Sequence, residues 1–299
     1  MEKELPPNTL ILPPIEASDY MKGDIRYEVR CEDWRPLLTT KEPQKFKFDS
    51  NGCTQNSGIN VTETQFNFLK KDMSSEMLRW FTNKGYIDAN GNFDFSWRYT
   101  GIKAGCSING SSHFSFWGAL KTHGVIPRKM LNYTLEESQK FTNQEDMCAD
   151  FWNSSVITSE MDALAQESKQ WFDVAYEYTW YNLERGCPAT LFMRELKHAP
   201  LHIGTAVCWN WNSEFLVPCE KDGASHSTMG WKANVDESKV IRDTYNPYDK
   251  TIAAGYRIAV AVKGVITLKD PMIGPNLRLS VWEIFIEILR QVGVVLKGK

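Results

Sequence analysis

The spacing of apolar residues changes character along the chain. From Cys53 onward, Ile59, Val61, Phe66 and Leu69 interleave with polar residues in helical order, which predicts an amphipathic helix. Ser50 and Asn51 stand just before it as candidate caps. MSSEMLRWFTNKGYI (73–87) predicts a second helix stopped at Gly85, and SSHFSFWGALKTHGVIP (111–127) a third, ended by Gly124 and Pro127. A long, mostly helical stretch is expected from about 135 to 185. Then the pattern shortens. LFMRELKH starts as a short helix, residues 201–209 alternate as a strand, and SHSTMGWKA, KVIRDTYN, GYRIAVAVKG and VITLKD read as β runs between turns. The last stretch, SVWEIFIEILRQVGVVL (280–296), is helical and strongly apolar. It is shorter than a usual membrane span and carries Glu283, Glu287 and Arg290, so it predicts a packing or partner-docking helix and no membrane span.

Helices first and strands second argue for an α+β fold. Four segments are expected: an extended, proline-rich arm (1–31), a mostly helical half (32–190), a β-rich half (191–279) and the apolar C-terminal helix (280–299). The 299 residues suit one large domain or two modest ones. A hydrophobic share of 42% excludes disorder, and a net charge of −3 gives no broad basic face for nucleic acid. The seven cysteines are scattered without a CxxC pair, and the N-terminus has no apolar run of signal-peptide length. Mostly reduced thiols in a reducing, cytoplasmic compartment are therefore expected.

A nucleophilic thiol needs a depressed pKa, a nearby base and donors for an oxyanion. Most cysteines are small buried hydrophobes. Cys53 stands apart because it opens a helix, where N–H groups and the helix dipole favour a thiolate. The other six cysteines have no such setting. There are five histidines to serve as base. His113 and His123 flank a helix and read as packing or surface residues. His198 and His202 border the β region. His226 begins SHSTMGW and precedes KVIRDTYNPYDK, which offers Asp243 or Asn246 to orient an imidazole. His198 and His202 are also spaced i, i+4 before Cys208, but Pro200 between them argues against zinc. Phosphate loops and a GxSxG elbow are absent, so neither metal nor cofactor is expected.

Several stretches together resemble the papain-like cysteine peptidases. EDWRPLLTTKEPQ resembles the mature start of that family, which places the oxyanion-hole glutamine on Gln44, with Gln55 as the alternative. CTQNSGINVTE keeps the family's Cys, its Ser as Ser57 and its acidic residue as Glu63. Thr54, Gln55 and Asn56 replace the family's Trp, Ala and Phe, and the preceding Cys-Gly-Ser is missing with its disulfide. FSWRYTGIKAGCSINGSSHFSFWGALKTHGVIP resembles the Gly-rich cleft loop and following helix, with Gly105 and Gly110 as candidates for the cleft wall. LKHAPLHIGTAVCWNW, SHSTMGW and VIRDTYNPYDKTIAAGYRIAV resemble the first strand of the barrel domain, the histidine strand and the strand with the orienting Asn, here Asp243. The resemblance spans about residues 32–265.

It implies a papain-like fold: a helical left half, an antiparallel β-barrel-like right half and an extra C-terminal helix. The implied activity is hydrolysis of peptide bonds through a thioester on Cys53, with His226, Asp243 and Gln44 assisting and a peptide or protein as substrate. Two departures stand out. Only about 31 residues precede the Asp-Trp-Arg match, where the family carries a propeptide of about a hundred, and the terminal helix is an addition. They support an alternative of viral or phage type: a weak or inactive scaffold in an assembly such as a virion, docked through the C-terminal helix. A lesser alternative is a cell-wall amidase or endopeptidase.

Overall fold

The computed structural model describes residues 10–11, 21–22, 30–31, 33–39, 41–181, 189–207, 210–218 and 225–269. The expected C-terminal helix, and Cys187, Cys208 and Cys219, lie outside the described residues.

The organising element is α1 (Cys53–Leu69), which the sequence pattern marks as amphipathic. In the fold it is enclosed on nearly every side, and only Asn67 and Phe68 of its length escape full burial. One face lies on the sheet and another on α3 (Trp97–Lys103) and α4 (His113–His123). Its polar residues are accommodated by hydrogen bonds. Thr62 and Thr64 donate to the Gly58 and Asn60 carbonyls at 2.9 and 2.7 Å, and Gln65 donates to the Gly264 carbonyl at 2.8 Å. Gly58 permits close approach, since a Cβ there would lie 2.5 Å from the Phe116 ring.

The helical half adds α2 (Ser75–Lys84), α5 (Leu135–Gln139), α6 (Gln144–Phe151) and α7 (Ser159–Ser168). Ser74, Ser96, Ser112, Thr134, Asn143 and Thr158 each accept an N–H at the start of one of these helices. Gly85 closes α2 in the left-handed conformation, as its position predicts. Phe66 of α1 joins Phe81, Phe93, Phe95 and Phe172 in an aromatic core, with centroids 5.0 to 5.7 Å apart.

The sheet comprises β1 (Met21–Lys22), β2 (Phe172–Tyr181), β3 (Leu201–Thr205), β4 (Phe215–Leu216), β5 (His226–Ala233), β6 (Lys239–Arg242), β7 (Asp249–Ile252) and β8 (Ile258–Leu268). The spatial order is β1-β2-β8-β3-β5-β6-β7-β4, antiparallel throughout except β4 with β7. A short helix, α8 (Ala189–Leu196), precedes β3. The α+β class and the order of the halves match expectation. The sheet is open, with β1 and β4 at its edges, where a barrel-like half was expected. The helical expectation for 135–185 also fails over β2. Phe172, Val174, Tyr176 and Tyr178 alternate inward along FDVAYEY, and β2 pairs with β8 over its whole length. Strand period and aromatic content prevail there over the helical reading.

Candidate active site

Cys53 is the first residue of α1. The expected caps do not cap it: Ser50 turns its hydroxyl to the Gln44 carbonyl at 2.8 Å, and Gly52, which cannot accept through a side chain, occupies the cap position. No acidic residue sits in the first turn. The leading N–H groups of α1 therefore face the site without a side-chain acceptor of their own helix. The approach to α1 is tightly fixed. Asn51 holds a left-handed backbone (φ 59°), donates from its side chain to the Ile108 carbonyl and receives Gln144 Nε2 on its Oδ1 at 3.1 Å. This ties the loop of Gly105 and Gly110 over the helix start, where the sequence reading places a cleft wall.

His226 opens β5, and Asp243 follows the last residue of β6, the strand paired with β5. The hairpin thus returns Asp243 to the ring. His226 Nε2 bonds Asp243 Oδ1 at 2.7 Å, both side chains fully buried. The same oxygen accepts the Thr244 N–H at 2.7 Å, and Lys250 donates to Oδ2. Asn246, the alternative orienting residue, is exposed. His226 Nδ1 has no hydrogen-bond partner among the described residues. Burial alone would lower the His226 pKa. The Asp243 carboxylate and, to a lesser extent, the neighbouring Cys53 thiol override this and raise it to about 10. Burial likewise acts to raise Asp243, but His226 and then Lys250 outweigh it and hold the carboxyl below its usual range.

Gln44 reaches the same pocket but is already engaged. Its Nε2 donates to Asp49 Oδ1 at 2.9 Å and to the Tyr245 hydroxyl at 3.2 Å, and its Oε1 accepts from Thr244 Oγ1 at 2.6 Å. Gln55, the alternative, is buried within α1, and neither its amide nitrogen nor its oxygen has a hydrogen-bond partner among the described residues. Glu63 lies further along α1. It accepts the Phe95 N–H at 2.6 Å and belongs to a separate acidic cluster with Glu42 and Asp94. His198 is half-buried, and His202 turns its Nε2 to Ser57 and Ser227 at 2.9 Å each.

Three residues around the histidine escaped the sequence reading, and a fourth, Tyr245, falls where the resembled family has a Trp. Lys250 is buried against Asp243. Trp211, fully buried, stands edge-on to the His226 ring at 5.0 Å. Tyr245 flanks the ring at 5.6 Å. Asp49 lies beside Gln44, its pKa raised by burial. Beneath them a buried hydrogen-bond set joins the halves. Ser57 donates to the Cys53 carbonyl at 2.6 Å and meets Ser227, the neighbour of His226, at 2.8 Å, while His113 Nε2 reaches Ser227 at 3.0 Å. Burial keeps both of these histidines neutral: it pushes His113 down to about 3 and His202 well below its usual value.

The chain's own N-terminal arm crosses between the two walls. The Leu10 N–H donates to the carbonyl of Ser225, just before His226, at 3.3 Å, and the Ile11 N–H donates to the Ser111 carbonyl at 3.0 Å. The Leu10 side chain is buried, with Ala259 and the Gly204 backbone beside it.

No family model and no curated protein matches the chain. Solved structures do. Xylellain, a cysteine protease from Xylella fastidiosa, aligns over 89% of this chain and 98% of its own at a TM-score of 0.59 and 13% identity. A cathepsin B proform from Trypanosoma congolense aligns over 88% of this chain and 84% of its own, with a TM-score of 0.49 and 10% identity. The proform of the ragweed pollen cysteine protease Amb a 11 aligns over 79% of this chain at a TM-score of 0.45 and 12% identity, and the chain spans 64% of that proform's length. On the xylellain alignment the chain has the fold of the papain-like cysteine proteases. Among the described residues no helix is long and apolar enough to cross a membrane.

Proposed function

We propose that the protein is a cysteine peptidase acting through Cys53, His226 and Asp243. One observation carries the reading. A thiol at an uncapped helix start lies near a histidine whose far nitrogen is bonded to a buried carboxylate at 2.7 Å. The raised His226 pKa keeps the ring charged at neutral pH, the state in which it pairs with a thiolate. The Cys53 thiolate attacks the peptide carbonyl, and His226 transfers its proton to the leaving amine. A thioester remains, which water, deprotonated by His226, converts to the acid with return of the thiolate. The leading N–H groups of α1 stabilise the oxyanion, joined by Gln44 once its amide leaves Tyr245. Replacement of Cys53 by Ala should reduce hydrolysis of a peptide library by at least about 10⁴-fold. Cleavage at the parent rate by that variant would end the reading.

A second reading, a scaffold without turnover, draws on the closed state of the site. Cys53 and His226 are fully buried, Asp243 is 2% exposed, and Leu10 and Ile11 bridge the walls. Any extended substrate must displace that arm. Leu10→Asp with Ile11→Pro removes the apolar anchor and one N–H donor. It should raise hydrolysis if the arm merely covers a working site. If parent and variant both leave every peptide intact, the scaffold reading stands.

A further inference from the structure

The base is oriented by a carboxylate where the resembled enzymes use a neutral amide, and that carboxylate does not act alone. Lys250 sits on β7 and turns inward against Asp243, both side chains fully buried. Its three ammonium hydrogens are matched by three acceptors: Asp243 Oδ2, the Tyr245 carbonyl at 2.8 Å and the Pro247 carbonyl at 2.6 Å. The Trp211 ring covers this ammonium at 5.4 Å while standing edge-on to His226. Water is thereby kept from the pair, which makes each charge count for more.

We propose that Lys250 is a positioning residue for His226: it holds Asp243 and offsets its charge, so that Asp243 and Lys250 together do at the imidazole what a single neutral amide would do. This rests on the peptidase reading of the same site. A bare buried carboxylate would hold the imidazolium proton too tightly to pass it to a leaving amine. With Lys250 on its other oxygen, Asp243 keeps the ring oriented through Oδ1 and pulls less on its proton. The charged and titratable groups facing His226 are Cys53 from α1, Asp49 from the loop before α1, and Asp243, Tyr245 and Lys250 from the β6–β7 hairpin. Of these, Lys250 is a cation on the orienting carboxylate itself.

The test compares four full-length proteins: parent, Lys250→Met, Asp243→Asn and the double variant. Iodoacetamide labelling of Cys53, resolved by peptide mass, is followed against pH beside the His226 ring titration by NMR. Loss of the cation should move both limbs of the labelling profile, and the His226 titration, upward by about one pH unit, so that labelling on the acid limb slows roughly tenfold. Asp243→Asn leaves Lys250 uncompensated and should move them downward. The double variant, which restores a neutral amide with no charge behind it, should return to within about half a unit of the parent. If Asp243→Asn fails to fold, recovery in the double variant carries the test. A merely structural Lys250 would lower the melting temperature of Lys250→Met without moving its midpoints, and would leave the double variant as far below the parent as Asp243→Asn, and that result overturns the proposal. If instead the parent's Cys53 labels like an ordinary thiol, the peptidase reading falls and takes the role of Lys250 with it.

Discussion

Helix α1 has buried charge near two points along its length, and the two neighbourhoods behave oppositely. At its start, Asp243 faces His226 and Lys250, and its carboxyl is held low. Ten residues on, about 15 Å along the axis, Glu63 meets Glu42 and Asp94, with one oxygen of each within 4.8 Å of the others. Among the described residues only Arg128 opposes them, 2.6 Å from Glu42 and 3.8 Å from Asp94. There burial prevails: Glu42 is raised to about 8 and Glu63 well above its usual value. Burial thus favours the protonated carboxyl of Glu42, against the pull of Arg128. Depth is similar at both points. The number of cations in contact decides whether a carboxyl is held charged or neutral.

The signs with pH follow. The raised pKa of His226 contributes stability that is present below about 6.5 and lost as pH rises through about 10. The lowered pKa of Asp243 contributes stability present above about 3.9 and lost on acidification. The raised Glu42 contributes stability in acid, lost as pH rises from about 4.5 through about 8. Neutral pH thus suits the start of α1 and costs the acidic cluster.

The sharpest way to break this contrast is His226→Ala. It removes the proton carrier while leaving Asp243 with Lys250, so the fold should hold by circular dichroism while hydrolysis falls by about 10²–10⁴-fold. Next in size is Ser57→Ala. It deprives His202 and Ser227 of a buried partner and should cost about 1–3 kcal/mol in urea unfolding, with a further loss of rate as Cys53 and His226 lose their common tie. At the other neighbourhood, Glu42→Gln should gain about 2 kcal/mol above pH 8 and reduce the decline in melting temperature between about pH 5 and 8, leaving the part that Glu63 contributes. A decline unchanged in that variant would contradict the assignment of the proton to Glu42. Last, Gly58→Ala drives a methyl into Phe116 between the two neighbourhoods. It should cost about 1–3 kcal/mol and move neither set of pH midpoints.

Much of the first neighbourhood was legible in the sequence. Cys53, His226 and Asp243 fall in the chain order that the resemblance requires, and short patterns flagged each one. Cys53 does open the helix, although the expected capping residues do not cap it, because Gly52 rather than Ser50 or Asn51 takes the cap position. Lys250, Trp211 and the Ser57–Ser227 tie were not legible. Their roles come from contacts across 7 to 170 positions of chain, which no local pattern encodes. The sequence reading noted Glu63 but not its cluster, since Glu42 and Asp94 reach it only through the packing of loops on α1. Strand β2 was missed because its alternating aromatics were read within a longer helical stretch.

The most direct test is the intact mass of the protein after exposure to a peptidyl epoxide, an electrophile that needs both a peptide cleft and an activated thiolate. The account predicts a single adduct on Cys53 in the parent, none in His226→Ala, and none on Cys106 or Cys148, whose thiols burial pushes up. An unmodified parent, or an equal adduct in His226→Ala, would contradict it.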